Sequence, residues 1–136
     1  THVIVKTARK LIEENKDDEI LASFLEHYED VTLEFLAKAY EKGVPVIRQY
    51  LQDIARMLYA GINNIVCITG IKQVVLGGGI ERLGPGFLSE LLLQAEDNGN
   101  SFLMKDVSIS YATSGEKGDS IGITEYFIEN VFTISL

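Results

Sequence analysis

The sequence predicts an α/β domain, rich in helix, with a small parallel sheet. A long amphipathic stretch from Pro45 holds Val46, Ile47, Tyr50, Leu51, Ile54, Leu58, Ile62 and Ile65 on one stripe for over four turns. It stops at Gly70 and gives way to Lys72–Leu76, a short apolar run of buried-strand character. Further on, Val107, Ile109 and Tyr111 alternate with Ser108 and Ser110, the pattern of a half-buried strand. Two strands joined through a helix form one parallel crossover.

The other elements follow from spacing and punctuation. Ile4, Ala8, Leu11 and Ile12 recur at helical intervals between Val3 and Glu14, with Lys6, Arg9, Lys10 and Glu13 on the other side. The acidic stretch Asn15 to Glu19 breaks this helix, and Ile20, Leu21, Phe24, Leu25 and Tyr28 mark a short second one. Asp30 or Thr32 can cap a third, with Leu33, Leu36, Ala39 and Tyr40 on one face and Gly43 at its end. Pro45 suits the first turn of the fourth, long helix. The second half of that helix is apolar almost all round, which predicts a central position packed on a sheet and on other helices. A fifth helix opens at Pro85, carries Phe87, Leu88, Leu91, Leu92 and Ala95, and ends in a loop from Asp97 to Asn100. The Gly/Ser-rich loop Thr113 to Gly118 then leads to a last helix, Asp119 to Val131.

Composition narrows the function classes. At 136 residues, 46% hydrophobic and 24% charged, the chain is globular and of single-domain size, so residues 1–136 are taken as one, partial, domain. A net charge of −8 and a pI near 4.7 oppose a nucleic-acid-binding surface, which needs clustered Lys and Arg. Cys67, the one cysteine, lies in the run Ile65-Val66-Cys67-Ile68, where a buried, inert thiol is expected. His2 and His27 have no metal-like partner nearby in sequence and read as helix-surface or helix-end residues. Met57 to Ile68, the most apolar window, is too short to span a bilayer, and the default expectation is a soluble cytoplasmic protein with no membrane partner.

The run Lys72 to Gly86 carries the strongest functional signal. Its apolar strand enters three consecutive glycines, Gly77, Gly78 and Gly79, before the helix at Pro85. Such a turn brings bare backbone close to whatever lies beyond the sheet edge, the way a nucleotide or sugar nucleotide is accommodated. The triplet matches neither G-x-G-x-x-G in a complete βαβ unit nor G-x-x-x-x-G-K-[ST], and a tight turn without ligand is the alternative. Gly115, Glu116 and Asp119 form a second candidate cleft loop. The paired carboxylates Glu13–Glu14 and Asp17–Asp18 read as a solvated helix end and loop. Two strands are too few to bury this many apolar helical faces, so the chain is expected either to be part of a larger α/β protein or to need a partner.

From Tyr59 to Gly86, with Gly61-Ile62-Asn63-Asn64-Ile65-Val66 leading into Val74-Val75-Leu76-Gly77-Gly78-Gly79-Ile80, the chain resembles the carboxy-terminal lobe of the ROK family. These are bacterial sugar kinases and sugar-responsive transcriptional repressors. The resemblance implies the actin-like, hexokinase-like (ribonuclease H-like) ATPase fold, and the order of elements agrees from about Val3 to Val131. It also implies that Gly77, Gly78 and Gly79 lie on the adenosine side of a cleft. The first phosphate loop, the catalytic aspartate, most sugar contacts and a His/Cys3 zinc site would then all lie upstream of Thr1. ATP and zinc would thus belong to a full-length protein, DNA contacts to an amino-terminal domain, and the oligomer would be a homodimer with Val3–Glu14 as a candidate surface. The chain departs from the family at Thr69-Gly70, where Asn-Pro is common, and at Asp119-Ser120-Ile121-Gly122, where only one glycine of a Gly-Ala pair is matched. That drift favours a repressor that senses sugar without turning over ATP, followed by a sugar kinase, and then by a packing and dimerisation module with no ligand.

Overall fold

The computed structural model of the chain describes residues 1–97 and 106–113. Among the described residues, five helices and two strands run in the order α1 (His2–Glu14), α2 (Glu19–Leu25), α3 (Leu33–Glu41), α4 (Pro45–Thr69), β1 (Gln73–Leu76), α5 (Gly84–Asp97) and β2 (Ser108–Tyr111). A 3-10 turn, Ile80–Leu83, separates the glycine triplet from α5. The expected last helix, Asp119 to Val131, lies outside the described residues.

Local chemistry sets most boundaries. The Asp18 carboxylate accepts from the Leu21 amide at 2.9 Å and opens α2; the Thr32 hydroxyl accepts from the Phe35 amide at 3.1 Å and opens α3. Thr32, then, is the cap of α3, and Asp30 instead pairs with Arg9 at 2.8 Å. Pro45 stands in the first turn of α4, and Gly70 closes that helix with φ +69, a left-handed conformation that glycine adopts without a Cβ clash.

The strands pair in parallel, Gln73 with Ser108 through Leu76 with Tyr111. The Ser108 amide donates to the Lys72 carbonyl at 2.9 Å, and Ala112 to Leu76 at 2.8 Å, so the ladder extends past both ends. Ile109 is buried between exposed Ser108 and Ser110, which is the predicted alternation. Helix α5 links the strands and packs chiefly on α4, while α3 lies against the 3-10 turn, α4 and α5. Ile4, Ala8 and Ile12 of α1, Leu36 of α3, Ile47, Leu51, Ile54, Leu58 and Ile62 of α4, and Phe87 and Leu91 of α5 form one buried core.

Three expectations are corrected. Cys67 is exposed, and Ile68 beside it is 85% exposed. The buried line of α4 advances in steps of four, Leu58, Ile62, Val66, so Val66 takes the last core position, Ile65 is only half-buried, and residues 67 and 68 rotate outward. The far end of α4 is therefore amphipathic, not enclosed all round. Ile20 is 57% exposed because the short α2 seats only Leu21 fully in the core, and Tyr28 falls beyond that helix. Among the described residues no helix is long and apolar enough to cross a membrane.

Candidate functional site

A parallel strand pair has two unlike ends, and ligands in α/β sheets sit at the carboxyl ends of the strands. Here that edge is built from Gly77–Gly79 after β1 and Ala112–Thr113 after β2, held level by the Leu76–Tyr111 pairing. Gly78 has φ +72 and Gly79 φ +93. Both values lie in the region that side chains disfavour, which is the physical reason for glycine at these positions. A Cβ on Gly79 would lie 3.3 Å from the Thr1 methyl carbon, so the start of α1 packs directly on the turn. Gly78→Val is expected to cost about 1–3 kcal/mol from backbone strain, read as a lowered urea midpoint; a variant as stable as the parent would mean that the turn does not need its positive φ.

The turn does not lead straight into α5. The 3-10 segment intervenes, and it brings Glu81 and Arg82 to the same end of the molecule. Arg82 reaches back across the fold to Glu34 of α3 through two guanidinium nitrogens, Nη2 at 2.9 Å. Its hydrogen bonds hold the Glu34 carboxyl below the usual carboxylate range. Both side chains are more than half exposed, so the pair orients the turn more than it stabilises the fold. The Tyr111 hydroxyl donates to the Gly84 carbonyl at 2.7 Å and ties the end of β2 to the start of α5. Burial pushes that hydroxyl well above the ordinary tyrosine range, so it stays protonated and able to donate. Glu81 has one carboxylate oxygen, Oε2, that is enclosed without a hydrogen-bond partner.

Among the concavities lined by described residues, two bear on the choice of site. One of about 340 Å³ lies beside the edge, among Thr1, His2, Arg9, Asp30 and Arg82, with Arg9 bonded to Asp30 and Arg82 to Glu34. A larger groove, about 660 Å³, runs between α1 and α4 past Thr7, Lys10, Leu11, Gln49 and Asp53. None of its lining residues belongs to the strands or the glycine turn, its charged side chains Lys10, Glu14 and Asp53 are exposed, and Gln49 bonds Asp53 within α4. The strand edge, not the larger groove, combines bare backbone with an unsatisfied polar atom, and it is the candidate site.

The structure thus brings Gly77, Gly78 and Gly79 together with Glu81 and Tyr111, two residues that sequence reasoning passed over. The signal for Glu81 was present: a charged residue two positions after a glycine turn at a strand end. Gly115, Glu116 and Asp119 lie outside the described residues. His2 is exposed at the start of α1 and His27 is exposed just beyond α2, and among the described residues no cluster of His, Cys, Asp or Glu could hold a metal ion. A His/Cys3 zinc site does not fit the described residues of this chain. Asn64 faces outward, and half-buried Asn63 accepts a weak contact from the Cys67 thiol at 3.8 Å. No protein-family model matches this chain, and neither a curated protein nor a solved structure matches it at a significant level.

Proposed function

We propose that this chain is the carboxy-terminal part of the effector domain of a ROK-type, sugar-responsive transcriptional repressor, working in the cytoplasm as a homodimer. The observation that carries the reading is the strand edge: a long helix feeds β1, β1 ends in glycines at positive φ, and α5 returns the chain to a parallel β2. The residue resemblance from Tyr59 to Gly86 supports the same assignment. In this reading Gly77–Gly79 line the adenosine side of an actin-like cleft, the sugar effector is held mainly by residues upstream of Thr1, and DNA is bound by an amino-terminal domain. The acidic surface of this part is compatible with that division, because the basic surface would sit elsewhere. A ROK-type sugar kinase is the second reading, and the glycine turn at the strand edge favours it to the extent that it receives a nucleotide.

The coding sequence upstream of Thr1 discriminates between them. A helix-turn-helix there supports the repressor, a chain that starts directly at a phosphate loop supports the kinase, and neither pattern overturns both. The 136-residue chain by itself is expected to transfer no phosphate from ATP to any hexose, since general-base and phosphate-binding groups would come from upstream. Turnover above a heat-killed control would contradict that division of labour.

A further inference from the structure

Ile20, Phe24 and Tyr28 stand four residues apart, so they fall on one line of α2 and of the turn that continues it. Beyond Leu25 the His27 amide donates to the Phe24 carbonyl at 3.3 Å and the Tyr28 amide to the Leu25 carbonyl at 3.1 Å, which keeps the chain coiled past the helix end. The Tyr28 ring lies 4.8 Å from the Phe24 ring and makes a T-shaped contact with buried Phe35 at 5.1 Å. One side of the line is thus anchored on the core. The other side is open: Ile20 and Tyr28 are exposed and Phe24 is half-buried. Leu21 is the residue that seats α2 in the core, so the fold does not need an apolar side chain at position 20. A continuous apolar line on a surface, unlike a lone exposed residue, marks a contact face.

The same stretch carries nearly all of the chain's excess charge. Residues 13–30 hold eight of the twenty acidic residues and one of the twelve basic ones, so −7 of the net −8 falls there. Glu13 pairs with Lys16, Asp18 caps α2 and Asp30 pairs with Arg9. Asp17, Glu19, Glu26 and Glu29 are exposed, lie within three positions of a residue of the apolar line, and pair with no Lys or Arg among the described residues.

We infer that this face of α2 docks a basic amphipathic helix of another protein, whose apolar residues pack on Ile20, Phe24 and Tyr28 while its flanking Lys and Arg meet Asp17, Glu19, Glu26 and Glu29. From Ile20 to Tyr28 the line runs about 12 Å, the reach of about two turns of a partner helix. Other occupants carry the wrong charge. A second copy docked through the same face would set like charge on like charge. Residues 114–136 of this chain hold four carboxylates and one lysine, and nucleic acid and anionic lipid are themselves negative. A small polyamine would meet the carboxylates and leave the apolar line uncovered. With three anchors the contact belongs to the small, transient class, and the charge makes its association fast and salt-sensitive. Docking here does not depend on what the strand edge holds.

Fluorescence anisotropy tests this with a labelled, alanine-rich peptide of about 15 residues that carries leucines on one helical face and lysines and arginines beside them, titrated with the 136-residue chain. The peptide is expected to bind, and more weakly as salt is added. Ile20→Ser, Tyr28→Ser, and Glu26→Lys combined with Glu29→Lys are each expected to weaken binding about tenfold. The same charge change at exposed Glu96 and Asp106 should leave it within about twofold at physiological salt. A peptide of equal composition with its leucines scattered off one face should bind about tenfold more weakly than the patterned one. Failure of the patterned peptide to bind overturns the inference. Equal binding of the two peptides, or an equal loss from the changes at Glu96 and Asp106, identifies a diffuse charge attraction and overturns it too. Ile20 is exposed, so Ile20→Ser keeps the fold whether or not Tyr28→Ser does, and undiminished binding by Ile20→Ser is equally contrary. Self-association of the parent that disappears in Ile20→Ser would assign the face to a second copy and overturn the basic partner.

Discussion

Phe87→Ala is expected to cost about 3–5 kcal/mol, a large share of the roughly 5–15 kcal/mol that holds a domain of this size. Phe87 is fully buried and sits one turn into α5, the helix that joins the two strands and leans on α4. Truncation removes the ring's transfer free energy and leaves a void, and a core assembled from five different helices cannot all collapse into it. The loss would lower the thermal midpoint by about 10–20 °C. A fall under a few degrees would show that α5 is not seated on the core as described.

Gly86→Val tests the opposite fault, too much volume. A Cβ at Gly86 would lie 2.9 Å from Cδ1 and Cε1 of the Tyr40 ring, closer than carbon atoms pack. The ring is poorly placed to move aside. Its hydroxyl donates to Oε2 of Glu90 on α5 at 2.7 Å, and the Arg48 guanidinium lies 5.1 Å from its centroid. Burial, reinforced by the bond to Glu90, raises the Tyr40 hydroxyl above its ordinary range, so the donor stays protonated and keeps a buried carboxylate satisfied. A side chain at position 86 must therefore push α3 and α5 apart, at an expected cost of about 1–3 kcal/mol. Gly86→Ala regains about 1 kcal/mol of helix propensity and should fall between valine and the parent. Urea unfolding of both variants, alone and with Tyr40→Ala, checks the mechanism. Partial recovery in the double variant assigns the loss to the ring, whereas strict additivity would assign it elsewhere.

Elements whose cause is local were legible in the sequence. The stripe on α4 as far as Ile62, the cap at Gly70, the proline that opens α4, and the alternation around Ile109 each need only a few neighbouring residues, whereas the same local reading offered both Asp30 and Thr32 as the cap of α3. What could not be read depends on pairs far apart in the chain. Tyr40 meets Glu90 fifty positions on and Glu34 meets Arg82 forty-eight positions on, so neither the buried carboxylate nor the anchoring of the 3-10 turn has a local signature. The outward turn of Cys67 and Ile68 has the same origin, because composition marks the end of α4 as apolar while the position of α5 decides which of its faces is covered. For the site, the glycine triplet announced itself by composition, whereas the position of Glu81 two residues past it is a weak signal and its enclosed oxygen without a donor shows only in the fold.

The carboxyl edge of the parallel pair is the proposed place where a ligand is held. The most direct measurement is an amide chemical-shift titration of the isotope-labelled chain with adenosine and with D-glucose. Shifts caused by the bound probe are expected to concentrate at Gly77, Gly78, Gly79, Ile80, Glu81, Ala112 and Thr113. Shifts concentrated instead along the α1–α4 groove, at Thr7, Lys10, Gln49 and Asp53, or no shifts with either probe, would contradict that placement.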